Sequence, residues 1–292
     1  MRRSSGLGVR KAIAEPILLI MGLGAQMTRW SKDLYGRLVD AGYRVILFDN
    51  RDVGLSEKLD AAGAPDIGAV VKAVGEGRKP PVAYTLDEMA ADAAGLLQAL
   101  CIERAHIVGA SMGGMIAQLV AADYPQRTLS LTSIMSTTGN PDLPRATPEA
   151  MARLNAPAPD PTADLEGYLA NAVEGAKVMA SAYPVDAAAV REQALTDFER
   201  SYYPVGFQRQ YAAIMASPDR RPKLKTITAP TVVIHGDADP LVPAEGGCDT
   251  AANIPGAEFR MISGMGHETP IPVQGEVVAG ILAAIARAKA PA

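Results

Sequence analysis

The chain has 292 residues, 48% hydrophobic and 21% charged, with 28 basic against 32 acidic side chains for a net charge of −4. That balance fits a folded protein with one large core, in a single domain or a domain carrying an insertion, and excludes disordered, collagen-like and fibrous chains. No basic stripe is present to neutralise phosphates, so nucleic acid is not an expected partner. The longest apolar run, Ile17 to Met27, is broken by Gly22, Gly24 and Gln26. It falls short of the roughly 20 residues that cross a bilayer, so no membrane partner is expected. The basic opening, Met1 to Lys11, leads to Glu15 and Pro16 with no small-residue cleavage site, and is read as no signal peptide. Cys101 and Cys248 are far apart and lack metal-ligand spacing, which fits a reduced cytoplasm and neither a disulfide framework nor a metal site.

In chain order, Pro16 to Met21 is a short apolar run entering the glycine-rich Met21-Gly-Leu-Gly24, the pattern of a buried strand and a tight turn. Helical spacing over Trp30 to Val39 and a β-branched run from Tyr43 to Asp49 follow, so strand, helix and strand form a parallel pair. Residues 57–83, rich in Gly, Ala and Pro, are expected as a surface excursion with a weak helical patch near Ile67 to Val74. Thr85 and Glu88 have the spacing of a capping box, and Leu86, Met89, Ala93, Leu96, Leu97 and Leu100 continue the helix. A strand from Ala105 to Gly109, a helix over Met115 to Ala122 and a strand over Leu129 to Met135 come next.

From Ser136 to about Pro222 the alternation stops, prolines punctuate the chain and Ala-rich helical segments follow, as in an inserted cap. The division is therefore a core of 1–135 and 223–292 with a mainly helical cap of 136–222. Seven of the 14 aromatic residues fall in the cap, among them Tyr168, Phe198, Tyr202 and Phe207, either packing it or lining a substrate cavity. Strands at Thr231 to Gly236 and Ala257 to Ile262, and a helix over Gln274 to Ala288, complete the core.

Gly109-Ala-Ser-Met-Gly113 is a G-x-S-x-G between a buried strand and a helix, where glycines relieve crowding around a strained, outward-pointing serine. Ser111 is the candidate nucleophile; the alternative is a helix N-cap in a tight turn. A serine hydroxyl needs an imidazole base and an acid that fixes its tautomer. Of three histidines, His106 lies inside a strand and His235 ends one, both structural positions, whereas His267 sits in the glycine-flexed loop Ser263-Gly-Met-Gly-His and is the candidate base. Asp239, in the loop after the strand ending at His235, is the candidate acid, and Asp237 a turn former. The order Ser111, Asp239, His267 is that of an α/β-hydrolase sheet. Oxyanion donors are expected from Met112 N–H and from Leu23 N–H in the glycine turn, unless that segment is a plain turn. The Met-rich spots at 112–115 and 261–265 either wall the site or pack the core.

The segments P-I-L-L-I-M-G-L-G-A-Q, F-D-N-R-D-V-G-L-S and V-G-A-S-M-G-G-M-I-A-Q resemble bacterial esterases of the aklavinone methyl esterase type within the α/β-hydrolase-fold serine hydrolases, over residues 16–135 and 224–288. Related chains include hydrolases of macrolide lactones. The resemblance implies a mostly parallel sheet flanked by helices with a helical cap, and two-step acyl transfer to water with no cofactor. Ser111, Asp239 and His267 match the family's triad, and Leu23 and Met112 its oxyanion hole. Asp49, Arg51 and Asp52 are expected to hold loops by ion pairing. Met21-Gly22 stands where many relatives have His-Gly, and little chain precedes the first strand for the antiparallel hairpin that usually opens this fold. The expected substrate is a medium-to-large apolar small-molecule ester or lactone, acted on by a monomer or homodimer. The alternatives are the same triad used on C–C, amide or acyl-transfer chemistry, and a noncatalytic ligand receptor.

Overall fold

A computed structural model describes residues 14–180 and 182–289; the basic opening, Met1 to Lys11, read as no signal peptide, lies outside them. Six strands, β1 (Pro16–Ile20), β2 (Arg44–Leu47), β3 (Ala105–Ala110), β4 (Thr128–Ile134), β5 (Thr231–Gly236) and β6 (Glu258–Ile262), make one sheet in the order β2-β1-β3-β4-β5-β6. Every described pair is parallel, with Leu18 opposite Ile107 and Val108 opposite Thr132. β3 and β5 are buried at every residue, which is why both read as continuous apolar runs rather than alternating ones. The chain order reverses between β1 and β3, so a crevice opens outside the carboxyl ends of those two strands.

Helices cover both faces. On one side α3 (Leu86–Ala99) and α4 (Met112–Asp123) pack Met89, Leu97, Ile116 and Val120 against Leu18, Ile20 and Ile107. On the other, α1 (Lys32–Asp40) and α11 (Ile271–Lys289) pack Leu34, Leu38, Val277 and Ile281 against Ile17, Leu19 and Ile234. α11 is the one described helix long and apolar enough to cross a bilayer, and its apolar face is spent on this core. Local chemistry starts the helices: Ser31 caps α1, and the Thr85–Glu88 capping box opens α3 as its spacing predicts.

The segment 57–83 is mostly exposed, as expected of a surface excursion, and its helical patch is a full helix. It holds α2 (Ile67–Gly75), capped by Asp66 on Ala69 N–H, with Val70 and Ala73 buried. Its apolar side meets α8 (Pro204–Met215), a partner far away in sequence. Between β4 and β5 lie α5 (Pro148–Asn155), α6 (Leu165–Met179), α7 (Ala187–Arg200), α8 and the short α9 (Arg221–Leu224). Asp164 and Asp186 cap α6 and α7. Leu224 and Ala213 join the core beside α4. α10 (Ala244–Asn253) joins β5 to β6.

Ile281 is fully buried and Leu55 is 73% exposed. Urea denaturation should find Ile281→Ala destabilised by about 2–5 kcal/mol. Leu55→Ala should stay within about 0.5 kcal/mol of the parent.

Candidate active site

β3 ends at Ala110 and α4 begins at Met112, leaving Ser111 alone at the turn with φ 56° and ψ −122°. Few non-glycine residues adopt this backbone, and it costs on the order of 1–3 kcal/mol. Ser111 N–H donates to the Ile134 carbonyl at 2.9 Å, tying the turn to β4. Close approach requires the flanking glycines: a Cβ on Gly109 would lie 2.0 Å from the Gly113 carbonyl oxygen, and one on Gly113 2.0 Å from that of Ile20.

The structure brings Ser111, His267 and Asp239 into one hydrogen-bonded line. His267 Nε2 lies 2.9 Å from Ser111 Oγ and its Nδ1 2.8 Å from Asp239 Oδ2. An acceptor-only carboxylate accepts a hydrogen bond from Nδ1–H, so the proton sits on Nδ1 and Nε2 is left as the acceptor for the serine hydroxyl. Asp239 Oδ1 accepts Leu241 and Val242 N–H at 2.9 and 2.8 Å. Burial alone would raise the Asp239 carboxyl, but the imidazoles of His267 and His235 and the Val242 N–H hold it well below the usual carboxylate range. It therefore stays ionised beside the imidazole.

His235 is buried as expected and also shapes the site. Its Nε2 lies 2.8 Å from the Val242 carbonyl and 3.5 Å from Asp239 Oδ2, so it backs the loop that carries the acid. Asp237 accepts Gly264 N–H at 2.6 Å and the Ser263 hydroxyl at 3.1 Å, fastening the loop after β5 to the loop that carries His267. His106 is remote from this line: Nδ1 meets Ser130 Oγ at 2.8 Å, and burial lowers its pKa to about 4. Met112, Met115 and Met265 are buried in the two core clusters, so packing accounts for them, while Met261 is exposed.

Leu23 lies in the Gly22–Ala25 turn after β1, and a Cβ on Gly22 would sit 3.1 Å from that of Ser111. The turn thus leans on the serine. Neither Leu23 N–H nor Met112 N–H has a hydrogen-bond partner among the described residues, leaving both as free donors.

The charged cluster after β2 forms ion pairs, as expected. Asp49 accepts Met27 and Leu55 N–H and pairs with Arg200 of α7 at 2.7 Å; Arg51 pairs with Asp92 at 2.6 Å. Asp52 accepts Arg209 Nε–H and Nη2–H of α8 at 2.8 and 2.7 Å, with both side chains buried. The arginines were missed by the sequence reading because helical periodicity marks apolar faces, not one buried guanidinium. Gln210 was missed too because it belongs to no motif, and Asn50 was not singled out within F-D-N-R-D-V-G-L-S.

The α/β hydrolase fold family matches residues 15–272, and the chain belongs to that family. Rhodomycin D methylesterase DnrP of Streptomyces peucetius is 29% identical over 96% of this chain and 93% of its own, in keeping with the methyl esterase resemblance. A 2-hydroxy-6-oxononadienedioate/2-hydroxy-6-oxononatrienedioate hydrolase of Burkholderia vietnamiensis is 31% identical over 87% of this chain and 81% of its own. Among solved structures, a thermophilic esterase from Thermogutta terrifontis superposes with TM-score 0.67 at 24% identity, covering 95% of this chain and 91% of its own. A meta-cleavage product hydrolase from Pseudomonas fluorescens gives TM-score 0.70 at 21% identity over 94% and 92% of the two chains. These structures share the fold.

Burial alone would raise the Asp52 carboxyl, but Arg209 and the Leu59 N–H outweigh it and hold it below 3.8. A carboxylate depressed in the folded state stabilises fully above its unfolded pKa and loses that contribution as pH falls through the folded value. Stability from this pair should therefore be constant well above pH 3.8 and decline below it. Asp52→Asn should flatten that decline and cost about 3–5 kcal/mol at neutral pH, because Arg209 is left buried without its counter-charge. Urea titrations of both proteins across acid and neutral pH check this.

Proposed function

We propose that this carboxylic-ester hydrolase works through an acyl-enzyme on Ser111, with His267 as general base and acid and Asp239 as the group that orients it. The carrying observation is the unbroken line from Ser111 Oγ through both His267 nitrogens to Asp239. As Oγ attacks the ester carbonyl carbon, its proton passes to His267 Nε2, and the imidazolium is stabilised by Asp239. The oxyanion is received by the N–H groups of Leu23 and Met112. Collapse breaks the carbon–oxygen bond, and Nε2 returns the proton to the departing alcohol. Water then adds to the acyl-serine by the same base, releasing a carboxylic acid and restoring the serine.

The helices between β4 and β5 act as a cap. A cavity of about 150 Å³ beside Gly24 is lined by Tyr168, Tyr202, Tyr203 and Phe207 together with Arg29 and Asp197. It is smaller than the roughly 300–1,000 Å³ of a drug-sized pocket, so it takes one ring or arm of a larger substrate. A methylesterase relative favours a medium-to-large apolar ester, such as a polyketide methyl ester, with a macrolide lactone as the second substrate class. A second reading, C–C bond hydrolysis by the same triad, is favoured by the Burkholderia vietnamiensis relative.

Brief exposure to a fluorophosphonate should add one adduct to the wild type and none to Ser111→Ala, as read by intact mass. Turnover of p-nitrophenyl esters should fall on the order of 10⁴–10⁶-fold in Ser111→Ala and about 10⁴-fold in Asp239→Asn. Full esterase activity in Ser111→Ala would overturn the mechanism. Rates on a bulky methyl ester, a 16-membered macrolide and a 2-hydroxy-6-oxo-dienoate select the substrate class, and preference for the last establishes the C–C reading.

A further inference from the structure

The oxyanion turn is gripped by a side chain from outside the sheet. Gln210 of α8 is fully buried, and both ends of its amide are used. Its Oε1 accepts Gly24 N–H at 2.8 Å, and its Nε2 donates to the Arg51 carbonyl at 2.8 Å. Each neighbour offers only one role, a donor on one side and an acceptor on the other, so the amide has one orientation.

Gly24 has φ +66° while Leu23 lies outside the positive-φ region, and Ala25 N–H closes the turn on the Gly22 carbonyl at 3.3 Å. That combination is a type II turn, whose central peptide, Leu23–Gly24, directly follows the residue that carries the Leu23 N–H. The Gly24 N–H that Gln210 holds belongs to that peptide. On the other side of Leu23, Asn50 Nδ2 donates to the Met21 carbonyl at 2.9 Å. Leu23 is therefore clamped from both directions by side-chain amides, with its own N–H left free.

α8 is itself immobilised where it delivers Gln210. The neighbouring Arg209 makes the buried pair with Asp52, and a Cβ on Gly206 would lie 1.9 Å from the Asp52 carbonyl oxygen.

Resting on the assignment of Ser111 as nucleophile and Leu23 as oxyanion donor, we propose that Gln210 is a positioning residue: it anchors the peptide after Leu23, as Asn50 anchors the Met21 carbonyl before it, and so fixes the turn that carries Leu23 N–H toward the developing oxyanion. The cap segment then contributes to catalysis through the turn, without touching the reacting atoms.

Gln210→Met keeps the length of the side chain and removes both hydrogen bonds. Its kcat should fall about tenfold to a hundredfold with KM within about twofold, the size expected for a misplaced donor. Affinity for a trifluoromethyl ketone, which forms a hemiketal oxyanion on the serine, should fall by the same factor. Gln210→Glu retains an acceptor for Gly24 N–H and should recover part of kcat. Amide exchange over the turn should be at least about tenfold faster in Gln210→Met, as an unpaired N–H requires.

Wild-type kcat and hemiketal affinity in Gln210→Met, a loss confined to KM, or unchanged exchange would each overturn the proposal. An inactive Ser111→Ala beside an unaffected Gln210→Met would sink this proposal alone. An active Ser111→Ala would sink it together with the serine mechanism.

Discussion

The structure depends on one strained residue. Ser111 holds a backbone conformation that a non-glycine residue leaves unless its surroundings forbid the alternatives. β3 fixes the chain on one side and α4 on the other, and both are buried almost throughout. The gap between them is set by Gly109 and Gly113, whose missing Cβ atoms let the helix backbone press on β3 and on the end of β1. With that crossing in place, the serine projects above the sheet where β1 and β3 diverge.

Around the serine, carboxylates do most of the positioning. Asp239 orients the imidazole, Asp237 joins two loops, and Asp49 and Asp52 bind the loop after β2 to α7 and α8. Asp239, Asp49 and Asp52 are buried, which is costly, and each is offset by a specific partner with hydrogen bonds to backbone N–H groups, whereas Asp237 is exposed. The return is geometric more than energetic. Buried ion pairs contribute little net stability over apolar contacts, while losing one partner is severe.

The segment between β4 and β5 is thus more than a cover. Arg200, Arg209 and Gln210 come from its helices and end on loops of the sheet, and Gln210 ends on the turn beside the serine. The tyrosines of the same segment line a cavity beside Gly24, so one set of helices both packs on that turn and bounds the cavity next to it.

Much of this was legible in the sequence because it is local. Apolar runs placed the strands of the sheet, the Thr85–Glu88 box opened its helix, and the glycine pattern around Ser111 marked a strand-to-helix turn. Ser111, Asp239 and His267 were each identified from loops after strands, and the tertiary structure brings the three together. Other features rest on partners that no short window contains. α2 reads as a weak patch because its apolar side is completed only by α8, and the buried role of Arg209 exists only opposite Asp52. Gln210 meets Gly24 across 186 residues of chain. The sequence by itself determined the order of strands and helices and the chemistry at their ends, since periodicity and turn preference act over a few residues. Only the folded chain decided which buried polar groups face each other, because that pairing is enforced by desolvation at contacts between distant segments.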